Sequence, residues 1–348
     1  MVRKRKPTQI DIARAAGVSP AVVSLVINDR ANGKIKISAQ TQQRVWETVR
    51  ELDYVPNLAA RQLAGGRNFL LGVFTFDSAF PVESSNFYYP FFVGIEQMAE
   101  ELRYDLMLFT RSLIENGQRR IYRDGTNALQ VADGSVLLGG SDDRDEVARL
   151  KADGYPFVYV GRREIDGEQL IYVGADYAAA TIDIIKYVHG FGHRNVRYLG
   201  PLNRNESSVD RENGFRSACV QLNLGDPDDV ITRLDRIDSV EWLEQQLNAG
   251  TTVFIAESIY IAFRLIELGK EIGKSVPEDF SIAALGNTGN SNDDTPWMTT
   301  FLIPRREMGA GAVRLLHSLL TDPENIVNRQ QFLPCQLQPG QTVGPVRR

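Results

Sequence analysis

The chain has 348 residues, 43% of them hydrophobic and 24% charged, too long for one small domain and too balanced for a disordered or fibrous protein; two or three globular domains of about 100–200 residues are expected. The formal charge of −5 is uninformative until it is divided, because residues 1–67 hold 12 Lys and Arg against 5 Asp and Glu, net +7, and the rest hold 27 against 39, net −12. A basic head on an acidic body is the asymmetry of a protein in which one module alone meets nucleic acid, and it argues against a polyanion site spread over the whole surface.

The first residues, MVRKRKPTQI, are charged but have no apolar stretch behind them, and nowhere do about 18 uncharged apolar residues run together. Neither secretion nor membrane insertion is expected. Residues 8–52 read as three short helices. Thr8 with Asp11 forms a capping box, Ile10, Ala13 and Val18 supply apolar spacing, and Gly17 stops the helix after Ala16. Ser19 is the next N-cap, and Pro20 suits the first helical position, where its missing N–H costs nothing. Val22, Val23, Val26 and Ile27 follow, so the short join at Gly17-Val18-Ser19 makes the two helices cross steeply, as in a helix-turn-helix. Ser38 caps a third helix carrying Val45, Val49 and Leu52. These helices alone also allow a small bundle with no DNA role. The case for DNA is a short second helix of small side chains flanked by Arg3 to Lys6, Arg14, Arg30, Lys34 and Lys36, which fits a major groove while its cations meet phosphates.

TQIDIARAAGVSPAVVSLVIN and ISAQTQQRVWETVRELDYVPNLAARQLAGG together resemble the head and hinge of the lactose/galactose repressor (LacI/GalR) family of bacterial transcription factors. The resemblance implies a DNA-binding head over residues 1–56 and a hinge over 57–68, in which Asn57 to Gly65 forms a helix on DNA and Leu63 wedges into the minor groove. A helix of about eight residues is too short to stand in water, so this one is expected to form only with a partner and DNA. The family's base-reading positions fall on Pro20, Ala21 and Leu25, none of which can hydrogen-bond a base edge through its side chain; Ser19, Val22 and Ser24 are neighbours in the interface. Thr8, Asn28, Tyr54, Asn57 and Ala60 complete the DNA-binding set that the resemblance implies. The segment Asp29 to Lys36 is longer than the family's usual loop, and Arg30, Lys34 and Lys36 in it are either solvated or extra phosphate contacts.

Beyond residue 68 short apolar runs alternate with helical periods. Residues 69–76, 104–110, 134–140, 157–161, 196–200, 252–257 and 280–286 read as buried parallel strands. Phe91 to Leu102, Ala178 to His189, Arg211 to Leu222, Ser239 to Asn248 and Ile259 to Ile272 read as the helices between them, a doubly wound α/β pattern. Cys219 and Cys335 are far apart and imply no disulfide framework, as in a reducing cytoplasm. GHRNVRYLGP (192–201), RENGFRSA (211–218), VPEDFSIAAL (276–285) and TTFLIPRREMGAGAVRLL (299–316) continue the family resemblance. The fold class it implies is α/β: a three-helix helix-turn-helix head plus a two-lobed, periplasmic-binding-protein-like body of doubly wound parallel sheets. The first lobe would hold 69–172 and 303–333, the second 173–302 and 334–348, with crossings near 173, 302 and 334 and an effector in the cleft between them.

Catalysis finds no home. His189, His193 and His317 lack a Cys or His partner at metal spacing and are read as structural, and no nucleophile elbow, P-loop or dinucleotide fingerprint follows a strand. Asp142, Asp143 and Asp145 read as a solvated acidic loop. No cofactor or metal is implied. The family usually clamps its sugar with aspartates, whereas this chain has Gly161 followed by Arg162 and Arg163, Ser258 in Ala256-Glu257-Ser258, and Gly286-Asn287. Arg211 matches the arginine that bonds the ligand in many members. Fewer aspartates, with Arg162, Arg211 and Arg305 present, shift the expected charge preference. The effector is therefore either an acidic sugar or metabolite, or a sugar held by amides, hydroxyls and stacking. Phe76, Tyr89 and Phe91, in an aromatic-rich stretch with Phe80, Phe87, Tyr88 and Phe92, join Arg162, Arg211, Ser258 and Asn287 as effector-binding candidates.

One small head makes few base contacts, so a homodimer on a palindromic DNA operator is expected. The tail GPVRR has no leucine heptads, which favours a dimer over a tetramer. The expected protein is a cytoplasmic regulator, acting as a repressor, in which a small-molecule effector changes the hinge spacing. A sugar-binding transport or sensor protein and a nucleoid protein of low specificity are the alternatives.

Overall fold

The computed structural model describes residues 7–27, 37–54, 67–77, 87–110, 114–115, 118–139, 144–165, 169–234, 239–286 and 297–346. The chain divides into two compact units, Met1–Leu70 and Leu71–Arg348.

In the head, α1 (Gln9–Ala16), α2 (Pro20–Ile27) and α3 (Ala39–Glu51) follow the expected caps. Thr8 is extended and its hydroxyl oxygen accepts the Asp11 N–H, while the Asp11 carboxylate accepts the Thr8 N–H at 2.9 Å and the Thr8 hydroxyl at 2.7 Å. Gly17, at φ 63°, takes the left-handed conformation that a side chain would resist. Ser19 then accepts the Val22 N–H at 3.3 Å, and the axis turns by 108° between α1 and α2. The core is Ile12, Ala13, Ala16, Val23, Val26, Ile27, Val45 and Val49. Ile10 is 59% exposed and does not join it. Two positions before Ile12 on a helix is about 200° away, so one stripe cannot bury both.

The body begins with β1 (Leu70–Thr75), α4 (Tyr89–Glu101) and β2 (Asp105–Leu108), then two short hairpins, β3 (Ile114–Glu115) with β4 (Gln118–Arg119) and β5 (Tyr122–Arg123) with β6 (Thr126–Asn127). Next come β7 (Gly134–Leu138), α5 (Arg144–Ala152), β8 (Phe157–Val160) and β9 (Tyr172–Ala175). Among the described residues the first lobe's sheet runs β15-β9-β8-β7-β1-β2, where β15 is Gln330–Leu333 near the end of the chain. β1, β7, β8, β9 and β15 pair in parallel, and β7, β8 and β9 are buried at every residue, which is why β7 and β8 read as largely apolar runs.

The second lobe holds α6 (Tyr177–Gly190), β10 (Val196–Pro201), α7 (Glu206–Leu222), α8 (Pro227–Val230), β11 (Ile231–Leu234), α9 (Val240–Asn248), β12 (Val253–Ala256), α10 (Ile259–Glu271) and β13 (Ser281–Ala284). Its parallel sheet runs β11-β10-β12-β13. After β14 (Thr300–Leu302) the chain returns as α11 (Arg305–Thr321) to the first lobe, and after β15 it leaves again as β16 (Gln336–Gln338), antiparallel to β14. α4 and α11 lie so close that a Cβ on Gly94 would stand 1.9 Å from the Arg306 carbonyl oxygen, and one on Gly309 2.3 Å from that of Phe91.

Four further expectations are corrected. β2, read among the buried strands, is exposed at all four residues, as an edge strand of the sheet can be. The first lobe, expected to stop at 172, runs on through Ala175, because Tyr172–Ala175 is a strand of the first sheet. α7 starts at Glu206, five residues before the expected Arg211, on an Asn205 cap that accepts the Ser208 N–H at 3.0 Å. Asp145, read as part of a solvated loop, stands in the first turn of α5, where a carboxylate favours the helix; Asp142 and Asp143 lie outside the described residues. Among the described residues no single helix is long and apolar enough to cross a membrane.

Candidate functional site

On α2, Ser19, Pro20 and Ala21 are exposed and Val22, Ser24 and Leu25 half-buried, while Val23, Val26 and Ile27 face the core. The outward face is the one the sequence assigns to DNA. Two other candidates are committed elsewhere: the Thr8 hydroxyl to its capping box, and Tyr54 to packing on the head core, its N–H donated to the Val49 carbonyl at 3.0 Å. Asn28, Arg30, Lys34, Lys36, Asn57, Ala60 and Leu63 lie outside the described residues, as does Asn287 in the body.

In the body a cavity of about 130 Å³ opens between the lobes. The first lobe lines it with Leu138 and Gly139 at the end of β7, Val160 to Arg163 leaving β8, Ala175 at the end of β9, Phe87, Tyr88 and Phe91 at the start of α4, and Met308 of α11, and Tyr177 at the start of α6 lines it from the second lobe. Tyr159 of β8 also contributes. The second lobe contributes Asn205, Glu206, Ser207 and Asp210 from the start of α7. Carboxyl ends of parallel strands are where a doubly wound sheet leaves a crevice. Gly161, at φ 102°, turns the chain off β8 and sends Arg162 and Arg163 toward α7.

Charge pairs between the lobes form one wall. Arg162 Nε donates to Asp210 Oδ2 at 3.0 Å and its Nη2 lies 2.8 Å from Oδ1, a two-pronged fork; Nη2 also donates to the Glu206 carbonyl at 3.2 Å, and Nη1 pairs with Glu164. Arg163 Nη1 donates to Glu206 Oε2 at 2.8 Å, and its Nη2 to the Gly139 carbonyl and the Tyr159 hydroxyl at 3.0 and 2.8 Å. Glu206 Oε1 accepts the Glu164 N–H at 3.2 Å and lies 3.6 Å from Arg144 Nη2. Burial alone would raise the Glu206 carboxyl, but the Arg163 cation, backbone N–H donors and Arg144 outweigh it and hold the group below the ordinary range. At Asp210 burial wins over Arg162, and the carboxyl sits above its usual value. Burial would likewise lower Arg162, but Asp210 and Glu164 hold its guanidinium above its ordinary value.

Of the effector candidates, Phe91 and Arg162 line the cavity. Arg211 adjoins it: Nε donates to the Leu285 carbonyl at 2.8 Å, Nη1 to that of Ser207 at 2.9 Å, and the guanidinium lies 3.8 Å over the ring of Tyr177. Phe76 does not reach the cavity; it is 1% exposed and packs edge-on against Phe74 and stacked on Tyr159. Tyr89, the first residue of α4, is 55% exposed and outside the lining. Ser258 caps α10, accepting the Ile261 N–H at 3.4 Å, also outside it. Arg305 is buried with its guanidinium 4.9 Å from the Phe87 ring, and burial, helped by the Arg211 cation, lowers it to about 10.

The expectation of a cleft that exchanged aspartates for arginines is also corrected, since Asp210 and Glu206 return the missing carboxylates from the second lobe. Sequence reasoning passed over them, along with Asn205 and Ser207, because it began α7 too late; Tyr159 and Met308, on β8 and α11, were passed over as core residues. The signal was the Asn205 cap with Ser208 three residues on, which puts Glu206 and Asp210 four apart on one helix face. Glu257 is tied into the second lobe, accepting from the Tyr198 hydroxyl at 2.7 Å and Arg204 Nη1 at 2.6 Å, while Arg204 Nη2 reaches Glu212 at 2.8 Å. His193 bridges Thr252 Oγ1 at 2.9 Å and the Gly344 carbonyl at 3.0 Å, and burial lowers its pKa. His317 Nδ1 lies 3.1 Å from the Tyr104 hydroxyl. Among the described residues no group of three or more His, Cys, Asp or Glu is placed to hold a metal ion.

Residues 8–57 match the family described as bacterial regulatory proteins, lacI family, and residues 185–343 match the periplasmic binding protein-like domain. Catabolite control protein A of Priestia megaterium is 28% identical over 89% of this chain and 91% of its own. The chain is a LacI-family transcriptional regulator. The fold of this LacI-family regulator is that of solved relatives: the lac repressor dimer bound to operator and the anti-inducer ONPF (TM-score 0.66, 23% identity, 98% of this chain and 100% of that one) and the transcriptional regulator CelR–cellobiose complex (TM-score 0.64, 22% identity, 97% and 99%).

Proposed function

We propose that this regulator binds a palindromic operator as a homodimer, reading DNA with the outward face of α2 and the segment 57–68, and that a small sugar or sugar derivative in the inter-lobe cleft controls the binding. The observation that carries the reading is the cleft itself, set at the carboxyl ends of β7, β8 and β9 and facing the start of α7, in a chain whose head is a helix-turn-helix. Its lining suits a sugar: Phe87 and Phe91 offer apolar faces, and Asn205 and Ser207 offer amide and hydroxyl groups. The cellobiose complex of CelR and the operator complex of the lac repressor dimer support the analogy. A ligand that prefers one angle between the lobes shifts the DNA-binding equilibrium by its differential affinity.

In vitro selection from random DNA, with and without a panel of mono- and disaccharides, tests the reading. A palindromic site whose affinity changes with one of the sugars is the expected result. Selection of sequences with no shared site would favour the low-specificity alternative.

A further inference from the structure

Given the cleft as the effector site, we propose that Asp210 is its charge filter: by occupying the guanidinium fork of Arg162 that a ligand carboxylate would need, it makes the site take uncharged sugars and refuse acidic ones. A planar guanidinium recognises a carboxylate through two parallel N–H donors, and the Nε and Nη2 edge of Arg162 already meets both oxygens of Asp210 in that way. The other prong, Nη1, is paired with Glu164.

Arg162 and Arg163 are the cations lining the cavity among the described residues, and Glu206 and Asp210 are the carboxylates lining it. Arg163 is also paired, to Glu206. The remaining cations nearby are not placed to substitute. Arg211 spends Nε and Nη1 on two carbonyls and one face on Tyr177, and Arg305 is buried at the Phe87 ring; neither lines the cavity. An acidic ligand seeking Arg162 would have to expel Asp210, leaving that carboxylate half-buried beside Glu164 without its hydrogen-bonded partner and with only the more distant Arg211 cation to offset its charge. A neutral sugar faces no such exchange. Its hydroxyls donate to the carboxylate lone pairs not taken by the arginines, and the ion pairs stay intact.

The test uses the full chain and a matched pair of probes, D-glucose and D-glucuronate, which differ in charge and little in size. Thermal shift followed by calorimetry is run on the wild type, Asp210→Asn, Asp210→Ser and the double variant Arg162→Gln with Asp210→Asn. Asp210→Asn keeps the volume and removes the charge; Asp210→Ser serves should the amide variant fold poorly. Glucuronate is expected to bind the Asp210 variants at least about tenfold more tightly than the wild type, and the double variant is expected to lose that gain. Wild type binding glucuronate as tightly as the Asp210 variants do, folded Asp210 variants gaining nothing, or a double variant that retains the gain would each overturn the filter. A glucuronate gain in the Asp210 variants with no effect of either sugar on operator binding leaves the filter standing and removes the effector role of the cleft, so the two failures are told apart.

Discussion

The outward face of α2 and the inter-lobe wall of the body are opposites in polar chemistry. On α2 the three positions assigned to base reading, Pro20, Ala21 and Leu25, offer no side-chain donor or acceptor, so whatever they read they read by shape, apolar contact and the groups beside them. The wall holds Arg162, Arg163, Glu206 and Asp210 in pairs that satisfy both signs. The surface proposed for the polyanion has no charge at its centre, and the surface proposed for a small ligand is dense with charge that is already matched. In the proposed reading, charge at the head meets phosphates at the edge of the DNA interface. Charge in the cleft is paired between the lobes.

That contrast can be broken most severely at Arg163. Its pair with Glu206 is about 5% exposed on both sides, so Arg163→Ala leaves a buried carboxylate with only the exposed Arg144 at 3.6 Å and should cost about 3 kcal/mol, read from the urea midpoint of the body. A loss under about 1 kcal/mol would mean that the wall is wetter and looser than described.

Ala21→Gln places an amide on the bare face of α2. An amide that reaches an adenine should add about 1–3 kcal/mol of preference at one operator position, measured with a set of single-base operator variants. Unchanged preference at every position would take Ala21 off the reading surface.

Acidification separates the two pairs of the wall. Glu206 is held below its ordinary value, so its contribution is complete above the ordinary carboxylate range and is lost as pH falls through the lowered value. Asp210 is raised and protonates first, so the Arg162 pair weakens while the Arg163 pair persists. The stability gap between wild type and Glu206→Gln should therefore hold from neutral pH to the acid edge of the carboxylate range and close below it, whereas that for Asp210→Asn should change at higher pH. Coincident pH profiles would deny the separation. His193 adds to acid lability in the same direction: its lowered pKa means its share is present above about pH 6.5 and is lost as pH falls through the lowered value.

The mildest test is Thr8→Ala, which removes the oxygen that accepts the Asp11 N–H and should cost the head about 1 kcal/mol. Because Met1–Leu70 and Leu71–Arg348 are separate compact units, the body's unfolding transition should not move. A shift in both transitions would join the units energetically.

Much of the framework was legible because its causes are local. Thr8 with Asp11, Ser19 with Val22 and Ser38 with Thr41 are pairs three residues apart, and Gly17 needs only its own φ to end α1. The runs that became β1, β7, β8, β10, β12 and β13 announce themselves because strands buried on both faces are mostly apolar, with small hydroxyls such as Thr75, Ser135 and Ser281 as the buried exceptions. β9 and β15 were not legible: YVGA carries a glycine inside the strand and QQFL is an edge strand with two polar residues and no buried one, so each shows itself as a strand only through the neighbour that supplies its ladder. Phe76 shows the limit on the site itself, since an aromatic at the end of β1 reads equally as a ligand platform or as core, and only the rings of Phe74 and Tyr159 decide for core.

Local chemistry in the sequence was enough to determine the head's helices, the alternation of strand and helix, the basic head and the family. Which charges face one another was decided by tertiary structure alone. Asp210 lies 48 residues from Arg162 and Glu206 43 from Arg163, on different lobes. Only folding the two sheets against each other turns an apparent excess of arginine into balanced pairs, because Coulomb attraction and desolvation depend on distance in space.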